Sequence, residues 1–382
     1  MSDHPREAQR HLKKINVCDD VWFSTFEFIE RTELGLKLAP ISVRFCALVE
    51  THFKSRKWKL CMAIIQKCDD AGGPNMCTFV DGLLREKPFL QTPPPNNLIG
   101  FRRIRLSYID QQVLTFLDHI RHLFNAAIFL DLSIHPEHEI WGTIAEKIWP
   151  LLAGNISTLY RLFDTDLTYL RFLVSPSVLR DCANLRVIYC NNLFPEAMAD
   201  DHANASNKQA LSMWLHTPRG DGQPKVLNCF EPMKKDVAWN VEEIKKSFIN
   251  ATTSVPFIVV IQSYGTSYGH FDGKPFEVEN GRTFERLTLK RIDERLKRAY
   301  HYLWMLRRGK RRINGKLKRI DGPFKRVHHC LWLLRRGPIA WDEKRWAQLE
   351  KEAIKSRLWP KDNVFRLDFR LKETAENKVW LY

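Results

Sequence analysis

Long apolar runs are missing from this sequence of 382 residues: no stretch approaches the roughly 20 apolar residues that a membrane-spanning helix needs. The first residues, MSDHPREAQRHLKK, are charged from the third position, which predicts no secretory signal and a cytoplasmic or nuclear protein. Cysteine pairs are missing as well. The nine cysteines, at positions 18, 46, 61, 68, 77, 182, 190, 229 and 330, contain no CxxC, so neither a zinc ribbon nor a dithiol centre is written in their spacing and reduced core thiols are expected. Glycine is sparse at 17 residues, and no glycine-rich phosphate turn links a strand to its helix. There is no GxSxG elbow, no P-loop, no GxGxxG and no HExxH, so the usual residues for hydrolysis, nucleotide chemistry and zinc catalysis are absent. No enzymatic activity and no cofactor are expected.

Charge is unbalanced in one place only. The net charge is +16, yet residues 286–345 carry 20 Lys and Arg against 5 Asp and Glu, which leaves 40 against 39 in the rest of the chain. A surface that is basic throughout is therefore excluded, and any attraction to polyanions is local.

What is present divides into four stretches. Residues 15–55 read as a module of three short helices. Asp19 and Asp20 cap the first, whose apolar residues Val21, Trp22, Phe26 and Ile29 share a face; Leu34, Leu38 and Ile41 follow; Ser42 caps the third, with Phe45, Leu48, Val49 and Phe53. Helices this short make only a small core, so they leave apolar residues for a partner or pack against the next domain. Residues 56–100 read as a β-hairpin, KWKLCMAIIQ and CTFVDGLL, followed by a proline-rich linker with its boundary near residues 93–95. Over 101–265 strands such as IFLDLSI, RVIYC, VLNCF and PFIVVI alternate with helical spacing, which predicts an α/β strand-helix solenoid like a degenerate leucine-rich repeat, with a closed doubly wound domain as the alternative. Residues 266–382 read as a β-rich, basic end with a terminal helix whose face carries Trp346, Leu349 and Ala353.

This last stretch contains a tandem duplication. LKRIDERLKRAYHYLWMLRRG (289–309) matches LKRIDGPFKRVHHCLWLLRRG (317–337) at 14 of 21 positions, and each copy reads as a strand, a charged turn and a second strand. Between them runs RRGKRRINGKLKR, with Arg307, Arg308, Lys310, Arg311, Arg312, Lys316, Lys318 and Arg319. Three readings stay open for it: a solvated turn, a nuclear import address, or a nucleic-acid patch. His135 and His138 in IHPEHE are the best metal candidates, but a proline splits the pair and no third ligand is evident, so no metal site is expected.

The stretch VWFSTFEFIERTELGLKLAPISVRFCALVETHF resembles an F-box, of the divergent type expanded in plant-parasitic nematodes. Leu34, Ile41, Ser42, Arg44 and Phe45 keep the core pattern, whereas Cys18 and Asp19 stand where an F-box carries Leu-Pro. QALSMWLHTPRGDGQPKVLNC, INATTSV, ERLTLKRIDERL and LRRGPIAWDEKRWAQLEKEAI resemble recurring segments of the same family, so the likeness runs over residues 18–355. It implies a substrate receptor of a ubiquitin ligase complex. The module would bind a Skp-type adaptor on a cullin scaffold through Val21, Trp22, Phe26, Ile29, Leu34, Ile41 and Phe45, and the α/β domain would capture a protein substrate that no motif identifies. The residues themselves also allow a nuclear nucleic-acid-binding protein, or a scaffold, acting through the basic end.

Overall fold

Helix and strand alternate through most of the chain as the hydrophobic spacing predicts, giving a mixed α/β protein. The computed structural model describes residues 17–29, 33–68, 72–80, 83–87, 89, 93, 97–135, 138–191, 193–231, 241–265, 274–292, 311–313, 316–318, 328–355 and 360–369. The chain divides into two compact units: residues 1–59 with 79–84 and 95–99, and residues 60–78 with 85–94 and 100–382. No helix among the described residues is long and apolar enough to cross a membrane.

The first unit carries α1 (Asp19–Phe26), a short helical stretch over residues 34–41, and α2 (Val43–Ser55). Ser42 accepts the backbone N–H of Phe45 at 3.2 Å and so caps α2, as its position before the apolar run predicts. Arg44 donates to the carbonyl of Val17 at 2.7 Å and to Asp19 at 2.6 Å, which ties the start of α1 to the start of α2. Phe26, Leu34, Leu48 and Val49 form the core, with Trp22, Phe23, Ile29, Leu38, Phe45 and Phe53 packed around it. The Asn97 side chain donates to the carbonyls of Phe53 and Arg56 and stops the end of α2.

One sheet of thirteen strands organises the chain. The strands are β1 (Trp58–Lys67), β2 (Pro74–Val80), β3 (Leu83–Lys87), β4 (Leu98–Leu106), β5 (Ile128–Ile134), β6 (Ile156–Leu162), β7 (Val187–Asn191), β8 (Lys225–Glu231), β9 (Phe257–Gly265), β10 (Phe276–Asn280), β11 (Glu285–Arg291), β14 (His328–Pro338) and β15 (Val364–Phe369). A separate two-stranded ribbon, β12 (Arg311–Ile313) and β13 (Lys316–Lys318), lies between β11 and β14 in sequence. The order across the sheet is β10-β11-β14-β9-β8-β7-β6-β5-β15-β4-β1-β2-β3. From β4 through β9 all pairings are parallel; β9 to β14, β14 to β11, β11 to β10 and β1 to β2 are antiparallel. Successive strands β5 to β9 are each neighbours of the last, with no reversal of direction. The helices between them include α5 (Asp164–Leu173), α7 (Asn207–His216) and α8 (Val241–Asn250), preceded by α3 (Gln111–His119), α4 (residues 140–152) and the short α6 (Val178–Asp181); α9 (Glu343–Lys355) follows β14.

Register explains why the sheet holds. Ile104, Phe365, Leu130, Leu159, Ile188, Leu227 and Val259 stand side by side across seven strands, and all are fully buried. Each such side chain contributes about 1.5–3 kcal/mol when buried, so a one-residue slip of any strand would forfeit its share of the row. His216 of α7 packs edge-on against Phe257 at 5.5 Å, so α7 covers the face to which the odd-numbered residues of β9 point. Trp346, Leu349, Ala353 and Ile354 of α9 pack on Val226, Ile258, Val260 and Leu333, which lie on the opposite face.

Two strands of the parallel part of the sheet escape the sequence reading. In β6 burial recurs at every third residue, Ile156, Leu159 and Leu162, because the register shifts between Leu159 and Leu162 and Arg161 adopts φ 61°; the bulge erases the period of two that marks a strand. β15 is the second. It returns from the C-terminal region into the middle of the sheet between β4 and β5, a placement no local pattern encodes.

Both copies contribute described residues to the sheet. β11 begins the first copy and β14 ends the second, and they pair with each other, Leu289 opposite Leu334 and Arg291 opposite Trp332. The turns and second strand expected of the first copy lie outside the described residues. Strands β1 to β3 belong to the same sheet as β4, and the backbone N–H and hydroxyl of Ser107 both donate to the carbonyl of Ile65, at 2.9 and 3.1 Å.

Candidate functional site

Two surfaces carry candidate chemistry. The first is the helical module. Of the seven residues assigned to adaptor binding, Phe26 and Leu34 are 1% exposed and form the module's own core, whereas Val21 and Ile41 are 51% and 61% exposed. Trp22, Ile29 and Phe45 are half-buried, with the Trp22 and Phe45 rings edge-to-face at 4.8 Å. Val43 and Phe28, each 89% exposed, are apolar surface residues that the helical spacing missed, because both fall off the buried face. Val43 opens α2 directly after its cap and precedes Arg44, whose side chain reaches Asp19 at the start of α1. The other end of the module holds an open cavity of about 280 Å³ lined by Phe26, Ile29, Leu34 and Phe53, with Arg56 and Lys57 at its rim.

The second surface is the sheet face opposite the row of fully buried residues, at β4, β15, β5 and β6. Here the same register lines up Arg105, Arg366, Asp131 and Tyr160. Asp131 is fully buried and receives both Nε and Nη2 of Arg161, at 2.8 and 2.6 Å. Asp368 receives Nη2 of Arg105 at 2.7 Å and of Arg366 at 2.9 Å. Burial pulls the Arg366 guanidinium down to about 10, against the pull of Asp368 and Asp131, and lowers Arg103 in the neighbouring row by the same cause. The positive φ of Arg161 brings Tyr160 and Arg161 onto the same face, which a regular strand forbids. These residues did carry a signal. RRIRL and VFRLDF set charges at alternate positions in an apolar run and IFLDLSI carries one, but only the register reveals that the charges meet.

Other expected groups resolve differently. His138 accepts the N–H of Ile140 on Nδ1 at 3.1 Å and its ring packs on Phe369, and no cluster of metal-ligating side chains occurs among the described residues. All eight cysteines described in full are free. Cys190 and Cys229 are paired in register with sulfurs 3.5 Å apart, and burial raises the Cys229 thiol well above its ordinary value, which keeps it protonated and inert. In the basic segment β12 and β13 set Arg311 opposite Lys318 and Arg312 opposite Leu317, with Lys316 facing Ile313; Arg307, Arg308, Lys310 and Arg319 lie outside the described residues.

No protein-family model, curated protein or solved structure matches the chain. The functional reading therefore rests on the two surfaces and on the resemblance in the sequence.

Proposed function

We propose that this chain is an F-box-type substrate receptor: its helical module docks a Skp-type adaptor on a cullin scaffold, and its α/β sheet domain captures a protein for ubiquitination. The chain recruits, and the chemistry belongs to its partners. The observation that carries the reading is the exposure of Val21, Ile41 and Val43 on a module that already has a core of its own. A small module gains nothing in water from such side chains, whereas a partner groove that buried them would gain roughly 1.5–3 kcal/mol from each. Cys18 and Asp19 replace the usual Leu-Pro, and the ion pair of Asp19 with Arg44 supplies an alternative anchor for the first turn. The proposed docking residues are the exposed Val21, Ile41 and Val43.

The succession of β5 to β9, each strand beside the last, supports a leucine-rich-repeat-like solenoid whose polar sheet face would be the capture surface. The test is a pull-down of purified Skp-type adaptor by the full chain. Val21→Asp with Ile41→Asp should abolish capture with circular dichroism and melting temperature unchanged, because neither residue is core. Wild-type capture by the double variant, or no capture by the unaltered chain, overturns the reading.

A further inference from the structure

The place in the sheet between β9 and β11 is filled by β14, paired antiparallel on both sides, with Trp332, Leu333, Leu334, Arg335 and Arg336 all buried. That place makes specific chemical demands. Glu285 is fully buried and receives Nε and Nη2 of Arg336, at 2.9 and 2.7 Å, so a strand without a guanidinium at this register position would leave a buried carboxylate unpaired. Arg335, its neighbour in the strand, reaches Glu343 and Glu350 of α9 at 2.8 and 3.0 Å. At Gly337 the Trp346 ring leaves no room for a Cβ.

The first copy of the duplication meets every one of these demands. LWLLRRG (331–337) of the second copy corresponds to LWMLRRG (303–309) of the first, identical at six positions of seven, and the seventh sets Met305 where Leu333 stands, a swap of similar volume. Arg308 matches the arginine that meets Glu285, Arg307 the one that meets α9, and Gly309 the glycine under Trp346. Connectivity divides between the two. The link from β11 to β14 runs over 36 residues, 292–327, whereas a strand at 300–310 would need only 8, and a shorter loop costs less entropy to close. On the other side β14 leads into α9 through four residues, 339–342, where the first copy would need a long link.

We propose that residues 300–310 are an alternative occupant of this place, so that the chain has two interchangeable closures of one sheet. The exchange is a switch for the basic segment. It buries Arg307 and Arg308 against α9 and Glu285, releases Arg335 and Arg336, and moves residues 310–319 from the link before the strand to the link after it. No residue of the helical module takes part, so the switch is independent of adaptor docking.

Leu334 lies between Leu289 and Val259 and is 1% exposed, so an aspartate there cannot stay in the sheet without burying a charge. Three full-length variants test the exchange: Leu334→Asp, Leu306→Asp and the two together, each followed by urea unfolding and by deuterium exchange read on peptides. Each single variant should keep a cooperative transition, and the double variant should lose it. In Leu334→Asp the slowly exchanging amides should move from residues 328–338 to residues 300–310. The exchange is overturned if Leu334→Asp loses its transition as the double variant does, if Leu306→Asp alone loses it, or if the double variant keeps it. A folded Leu334→Asp chain without gained protection at 300–310 overturns it equally.

Discussion

His216 and Asp166 pull the pH dependence of stability in opposite directions. Burial first, then the charge of Arg336, brings the His216 imidazole down to about 4, although its Nδ1 donates to the carbonyl of Ser212. Below the ordinary histidine range the unfolded chain takes up a proton that the folded chain refuses, so stability is lost as pH falls from about 6.5 towards 4. Asp166 is raised by burial to about 7, against the hydrogen bond it accepts from the N–H of Phe163. The unfolded chain releases that proton near pH 4 while the folded chain keeps it, so stability falls as pH rises towards 7. Taken over its full shift, the effect is about 3 kcal/mol for His216 and about 4 kcal/mol for Asp166, and in the unaltered protein the two oppose each other. His216→Gln should therefore give a denaturation midpoint that declines from pH 5 to pH 7, and Asp166→Asn one that climbs. Parallel curves for all three proteins would show that neither group titrates in this window. Neither position was legible in the sequence, where each is a single polar residue in an amphipathic helix; burial and neighbouring charge are supplied by other elements.

At the scale of elements, the duplicated strands make the sharpest prediction. Deleting residues 289–316 joins Thr288 to Leu317 and puts LKRID of the second copy in place of LKRID of the first, so the pairing of β11 with β14 can be rebuilt from one copy. The deletion removes 11 basic and 2 acidic residues, including the first strand of the basic ribbon. A folded protein with unaltered adaptor capture is expected, checked by melting temperature and pull-down. Loss of nuclear accumulation or of salt-sensitive RNA retention would assign a role to the removed segment. Unfolding would mean that the intervening stretch is part of the core. A second test concerns the approach of β14 to α9. A Cβ at Gly337 would meet the Trp346 ring at 2.6 and 2.7 Å, so Gly337→Ala should cost about 1–3 kcal/mol in urea unfolding, and much less when Trp346→Leu is also present. An equal cost in both backgrounds would exclude steric conflict. The existence of these elements was readable from apolar spacing, and the α9 face of Trp346, Leu349 and Ala353 packs as its period predicts. The pairing of β11 with β14 was not, because it joins residues about 45 positions apart and the two copies are near-identical in sequence.

At the scale of the whole molecule, the C-terminal strand holds two parts of the sheet together. β15 pairs with β4 on one side and β5 on the other, and Val364, Phe365 and Leu367 are fully buried. Ending the chain after residue 360 should leave β4 and β5 without a common neighbour and abolish cooperative unfolding by heat or urea; a single sharp transition in the shortened chain would contradict this. Removing residues 1–95 carries a comparable cost, since Ala63, Ile64 and Ile65 of β1 are buried and β1 covers the edge of β4. The proline-rich stretch thus joins strands of one sheet. By itself the sequence determined the local conformations and the apolar faces, because helix and strand periods and the capping residues Ser42, Asp110 and Ser206 act within a few residues of themselves. It also located the charge excess in one segment. Only the tertiary structure decided that Phe26 and Leu34 are core while Val21 and Ile41 face outwards, that β15 enters the centre of the sheet, and that arginines from three separate strands converge on two aspartates. Those outcomes depend on pairing between residues far apart in the chain, whose register is fixed by the burial of complete rows of side chains rather than by any short pattern.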